Sequence, residues 1–459
     1  MTGEERPPFA YEDLVALASD IVAKARRLGA DEADAYILSG IESTVSVRRG
    51  AIEKLIEAGS RSVSIRVIRQ KRTAVCNTSD LTPRALDELV RTAVELASIS
   101  EPDEYAGLPA KEDLATETAS ALALYDESIE SLSVDEMKDI VLRAEQAAFD
   151  FDPRVTNSEG AEFGAERGQL VLANSLGFAG SYPYTAASFA VSVIADDADG
   201  KKRNDYWFTA ERMLHRLERP EEVGRRAAAR AVRKLGARKV STREAPVVWD
   251  PLMAGRLARM VAAAASGEAL FKRSTFLVGR EGEQIASDLC TIVDDGTLPG
   301  QISTKPFDGE GVRTRRNPIV QAGRFEQFLF DSYYARRTGR RTTGNATRAG
   351  DAIAVGGSNL VWEPGAMPAK DVIGGVRDGL YLTDLMGHSV NSVTGDVSLG
   401  AAGIWIEGGA LTYPVTEINV SGNLTQMLRE VDAVGDDLLW MAGTAAPTVR
   451  VARMTISGL

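Results

Sequence analysis

The chain has 459 residues and a formal net charge of −12. Its length predicts two or three domains, and its near-average apolar and charged content excludes a disordered chain. The excess of acid also excludes a surface built on clustered Lys and Arg, so no direct nucleic-acid binding is expected. The short basic runs at 313–318 and 335–341 read as loop charges or ligand clamps.

Cys76 and Cys290 are the only cysteines, far apart and outside any CxxC. That excludes a disulfide framework and a cysteine-rich zinc site. The opening stretch MTGEERPPFAYEDL is acidic without an apolar core, which does not fit a signal peptide. No apolar run approaches the length of a membrane span. The expectation is a soluble cytoplasmic protein with no membrane association.

In chain order, Leu14, Val15, Leu17, Ala18, Ile21, Val22 and Ala25 recur at helical spacing, and Gly29 stops the run. The period then falls to two at Val45 and Val47 and again at Val63, Ile65 and Val67, predicting half-buried antiparallel strands. Thr82 and Pro83 open a second helix with Leu86, Leu89, Val90, Ala93 and Leu96 inward. The acidic stretch 100–118 reads as a linker.

Beyond it, Ser133 and Glu136 form a capping box before a helix running to about Phe149. Strands follow in 167–182 and 186–197, then a short strand and a charged helix from about Pro220 to Leu235. Helix, strands, helix thus occurs twice, predicting a structural duplication. From Pro246 the character changes. Asp250 and Pro251 open a helix ending at Gly267, and strand-like segments broken by glycine turns follow, with helices expected in 326–339 and 423–435. The predicted class is α+β: two helix–antiparallel-strands–helix units, then a mainly antiparallel β domain with a few helices. The expected domains are 1–115, 116–238 and 239–459.

The candidate chemistry is sparse. A helical zinc-peptidase site needs two histidines about a turn apart with a glutamate between them, but His215 and His388 each stand alone. His215 sits in a charged segment and reads as a surface residue. His388 lies in the glycine-rich stretch 386–409, where it could act as a base or a single metal ligand. A turn leading into a hairpin is the favoured reading there. There is no GxSxG elbow and no Walker A motif, and Cys290 alternates as a buried strand residue. Asp294, Asp295, Asp308 and Glu310 stand at strand ends. They could serve as acid and base or hold a hard cation, but Asp-Asp-Gly and Asp-Gly-Glu-Gly are also ordinary turn chemistry, which local pattern favours.

Several longer blocks keep one order: DDG at 294–296, PFDGEG at 306–311, TTGNA at 342–346, VNSVTGDVSLGAAGIWIEGG at 390–409, PVTEIN at 414–419 and SGNL at 421–424. LIEAGSRSVSIRVI at 55–68 and NSLGF at 174–178 extend the pattern into the amino-terminal half. With these motifs the chain resembles the TldD/PmbA family, also described as modulators of DNA gyrase, over nearly its whole length. In that family, TldD-like members look like zinc peptidases with HExxxH in the helix that opens the carboxy-terminal domain. The PmbA branch, also called TldE, lacks it.

Here that helix reads ARMVAAAASGEALF, so no metal ligand carries over and no cofactor is expected in this chain. The resemblance implies a PmbA/TldE-like subunit of a peptidase acting on small or unfolded peptides. Zinc would reside in a TldD-like partner, in a heterodimer or larger assembly; self-association as a homodimer is the other arrangement. Gly311, Gly344, Asn345, Asn391, Thr394, Gly395, Asp396, Gly422 and Asn423 are the positions it suggests as peptide- or partner-facing. Two alternatives stand beside this: a regulator binding gyrase or a toxin–antitoxin component, and a stand-alone hydrolase built on Asp294, Asp295, Asp308 and Glu310 with His388.

Overall fold

The computed structural model describes residues 11–116, 119–198, 200–349, 352–387 and 389–458. Helix α1 (Tyr11–Arg27) precedes strands β1 (Glu32–Arg48), β2 (Ala51–Arg69) and β3 (Arg72–Thr78), and α2 (Pro83–Ile99) closes the first unit. A single turn, α3 (Glu127–Glu130), leads into the second: α4 (Val134–Phe149), β4 (Val155–Asn174), β5 (Ala179–Asp196), β6 (Lys202–Glu211) and α5 (Pro220–Val232). The two units share one six-stranded sheet in the order β3-β2-β1-β4-β5-β6. They meet through their first strands, which run antiparallel from Asp34↔Asn174 to Val47↔Ala161.

Strand alternation decides what each face does. Ala33, Ala35, Ile37, Val45 and Val47 point to the helical face, where α1 and α2 cover one end of β1 and α4 and α5 the other. Asp34, Tyr36 and Leu38 point the opposite way, toward the carboxy-terminal domain. Leu96, expected inside α2, is 41 % exposed because the helix buries Ala93, Val94 and Ala97 instead. The Ser133–Glu136 capping box forms on α4. Where α4 and α5 cross, Gly224 lets the backbones touch: a Cβ there would lie 2.0 Å from the Ala144 carbonyl oxygen.

The remaining strands are β7 (Arg243–Trp249), β8 (Ile292–Asp295), β9 (Arg316–Gln321), β10 (Arg324–Phe325), β11 (Ala346–Ala349), β12 (Ala352–Val355) and β13 (Asn359–Trp362). They continue with β14 (Asp378–Met386), β15 (Asp396–Glu407), β16 (Ala410–Asn423), β17 (Val431–Val434), β18 (Leu439–Met441), β19 (Thr444–Ala446) and β20 (Val449–Ser457). One sheet runs β10-β9-β8-β13-β19-β18 and another β16-β15-β14-β7-β20-β17. In the second, β16 also pairs with β20, so the sheet closes on itself. Helix α6 (Pro251–Ala264), capped by the Asp250 side chain, packs into the core these sheets share, and α7 (Gly267–Phe271) follows.

The helix expected in 326–339 narrows to α8 (Ser332–Arg337), because Phe328 and Phe330 are buried core and Asp331 caps the helix at the Tyr334 amide. The stretch read as a linker is strapped to the carboxy-terminal domain. Arg336 donates to the carbonyls of Tyr105, Gly107 and Leu108, and Tyr333 donates to Asp103. Among the described residues, no helix is long and apolar enough to cross a membrane.

Candidate functional site

Three of the four acids singled out in the sequence meet in a buried joint. Asp294, at the end of β8, accepts from Asn345 Nδ2 at 2.7 Å and from the Ser358 amide. Asn345 is fixed in turn by Asn317 Nδ2 at 3.0 Å and the Thr343 hydroxyl at 2.6 Å. Asp308 accepts from the amides of Glu310, Val312 and Ala346 at 2.8, 3.0 and 2.9 Å. Glu310 accepts from Arg66 Nη1 at 3.0 Å and from the Ser332 amide at 2.8 Å. Asp295 stays apart and caps its own turn, accepting from the Thr297 amide and hydroxyl.

The joint crosses between domains. Asp34 and Arg66 face each other in register on β1 and β2, and Arg66 Nε donates to Asp34 at 2.8 Å. Arg348 Nη2 donates to the other Asp34 oxygen at 2.6 Å. Burial alone would raise the Asp34 carboxyl, but Arg348 and Arg66 hold it below its ordinary range. Asp308 goes the other way: burial, helped by the Glu310 charge, pushes it up to about 6. The same two causes push Asp331 up to about 7. Proton transfer to a substrate requires an accessible oxygen. Asp294, Asp308 and Glu310 are at most 2 % exposed, and all their oxygens already accept hydrogen bonds.

Two hollows adjoin this joint. The first, of about 400 Å³, lies under α6, with Arg259, Ala262, Ala263 and Ser266 on one wall. Val355, Gly356, Gly357 and Ser358 form another, with Asp294, Ser303, Gly443 and Thr444 between them. These residues do not fit zinc: the alanines offer no donor atom, and the Asp294 oxygens are taken. Among the described residues, no three His, Cys, Asp or Glu side chains gather to hold a metal.

The second hollow, of about 290 Å³, shares Ser303 and Gly357 with the first. Its floor is a row across three strands, Leu38↔Leu170↔Tyr182, and its walls include Tyr184, Arg212, Thr304 and Lys305. Gly40 and Gly168 form the next row. A Cβ on Gly168 would meet the Tyr184 hydroxyl at 2.7 Å, so the ring lies where only glycine leaves room.

The other sequence-derived positions fall elsewhere. His388 lies outside the described residues. Beside it, Asn391, Thr394, Gly395, Asp396 and Asn423 form a knot in which Asn391, Thr394 and Asp396 are exposed, Asn423 is half-buried and Gly395 is buried. Asn391 Oδ1 accepts from the Val393 amide, and Asp396 accepts from the Thr394 hydroxyl and from Asn423 Nδ2. Gly395 turns there at φ +83°. The segment is a turn leading into the β15–β16 hairpin. Gly422 packs against Met427, Gly311 turns beside Phe178, and Gly344 approaches the Arg313 backbone. His215 is exposed, and burial pushes the Cys290 thiol up to about 12, leaving it as core packing.

Sequence reasoning missed Asp34, Arg66, Arg348, Tyr182, Arg212, Ser303 and Lys305. One signal was available: Asp34 interrupts an otherwise apolar strand; the bulge between Ser46 and Val47 that sets Arg66 opposite it was not readable. Lys305 had none, because its neighbours come from distant segments.

The geometry defines an α+β protein with one hollow inside a β-rich carboxy-terminal domain and an adjoining one between that domain and a sheet-based amino-terminal half. Three consecutive family profiles match it: the PmbA/TldA metallopeptidase domain 1 over 33–97, the central domain over 127–235 and the C-terminal domain over 242–458. The chain belongs to the PmbA/TldD metallopeptidase family. It is 34% identical over 445 residues to metalloprotease PmbA of Escherichia coli O157:H7, covering 96% of each chain. It is 35% identical over 418 residues to the metalloprotease PmbA homolog of Haemophilus influenzae, covering 90% of each. In structure it matches a candidate modulator of DNA gyrase from Bacteroides thetaiotaomicron with a TM-score of 0.91 at 27% identity, covering 98% of this chain and 100% of that one.

Proposed function

We propose that the chain is the PmbA/TldE-type subunit of a two-chain metallopeptidase. It holds small or unfolded peptides in an extended form, while a TldD-like partner supplies the zinc. The supporting observation is the wall of α6: Arg259, Ala262, Ala263 and Ser266 face a peptide-sized hollow without a metal-ligand set. Val355 to Ser358 line the same hollow, and the glycines there would let an extended peptide come close.

The test is elemental analysis and peptide hydrolysis on the purified chain, alone and co-expressed with an HExxxH-bearing TldD-like chain. The chain alone is expected to carry no stoichiometric zinc and cleave nothing, and the pair to show chelator-sensitive hydrolysis. Tight zinc with chelator-sensitive hydrolysis in the chain alone would overturn the reading.

A further inference from the structure

Among the described residues, Lys305 is a cation without a counter-ion. It is half-buried in the wall of the second hollow, and among the described residues no carboxylate oxygen lies within the 4.0 Å of an ion pair and no group accepts from its amine. Its nearest charges are Asp308 and Asp294, whose oxygens are already occupied by amides and by Asn345. Half-burial thins the hydration of the ammonium while leaving it open to the hollow, so an anion placed there would be favoured. Burial draws its amine below the usual lysine range.

Two hydroxyls stand with it on the lining of the same hollow. Neither Ser303 Oγ nor Tyr182 Oη hydrogen-bonds to any described residue. Arg212, on the same wall, is occupied. Its guanidinium donates to the carbonyls of Gln301, Leu124, Thr185 and Ile302, which pins the 301–302 strap against the amino-terminal sheet and sets the position of Lys305. One amine and two hydroxyls suit a single negative charge with two oxygens. Phosphate is a poorer match, since the arginine fork that would recognise it is spent.

We propose that the second hollow is a carboxylate subsite, in which Lys305, Ser303 and Tyr182 receive a carboxylate of an extended peptide whose chain continues past Ser303 and Gly357 into the hollow under α6. The inference rests on the peptide-holding reading above and adds the polarity with which the peptide enters. The carboxylate can be the free carboxy terminus or an Asp or Glu side chain, and the experiment separates these.

Fluorescence anisotropy on the full chain would compare three fluorescein-labelled forms of Ala-Val-Ala-Gly-Val-Ala: the free acid, the carboxy-terminal amide, and the amide with Glu as last residue. The free acid is expected to bind about tenfold more tightly than the plain amide. Lys305→Gln should abolish that difference, Lys305→Arg should retain part of it, and Ser303→Ala should narrow it. Recovery of affinity by the Glu-bearing amide supports the site with a side-chain carboxylate as occupant; no recovery supports it with the terminal one. Equal binding of acid and amide to the unaltered protein, which needs no variant to fold, overturns the subsite and leaves peptide holding intact. Failure of all three peptides to bind overturns both.

Discussion

Arg66, on the second strand of the amino-terminal sheet, donates to Glu310 of the carboxy-terminal domain at 3.0 Å, and both side chains are buried. With Asp34 and Arg348 they make a chain of alternating charge across the domain boundary. Such a joint fixes geometry more than it adds stability, because desolvation offsets much of the attraction.

Arg66→Met is therefore expected to destabilise the protein by about 3–5 kcal/mol, since Glu310 would remain buried with only the Ser332 amide. Replacing both Arg66 and Glu310 by Met should recover part of that loss. Guanidinium unfolding measures both, and a single-variant loss below about 1 kcal/mol would contradict the account.

Asp331 gives a pH dependence of defined sign. Its folded value is raised to about 7 from 3.8, so across that window the folded chain holds a proton that the unfolded chain has released. Its contribution to stability is therefore lost as pH rises from about 4 to about 7. Asn keeps the cap to the Tyr334 amide and cannot ionise. Asp331→Asn should show little advantage in melting temperature at low pH and a growing one toward pH 8. An offset that does not change with pH would contradict this.

Ala263 is exposed on α6 and lines the first hollow. Ala263→Trp should fill that space and weaken binding of the free-acid hexapeptide about tenfold or more, roughly 1.4 kcal/mol. Stability should change by only about 0.5 kcal/mol, as for an ordinary surface substitution. Unchanged affinity would place the peptide elsewhere.

Gly224 sits inside α5, where Ala would ordinarily add about 1 kcal/mol of helix stability. The added Cβ would lie 2.0 Å from a backbone oxygen of α4, which cannot rotate aside. Overpacking of this kind costs about 1–3 kcal/mol, so Gly224→Ala should lower the melting temperature despite the better propensity.

The fold was largely legible because alternation and helical spacing are local signals. Val45 with Val47 and Val63 with Ile65 mark strands wherever their partners lie, and Ser133 with Glu136 marks a helix start. The hollows were not. Lys305 stands in a turn-rich strap, and what makes it unusual is the absence of a partner among the described residues, a property of the assembled domains. The acids were visible as residues, but only the Asn345, Ser332 and Ala346 contacts reveal that their oxygens are taken. Asp34 lay between the two cases: visible as a charge in an apolar strand, but paired with Arg66 only through the bulge between Ser46 and Val47.

The two amino-terminal units join by equivalent strands, first to first and antiparallel, which is the relation of a two-fold axis passing through the sheet between β1 and β4. Either unit made alone would present its first strand as an open edge, with the partner it has lost equivalent to itself. Such a fragment should pair with its own copy, rebuilding as a symmetric homodimer the sheet that the intact protein builds within one chain.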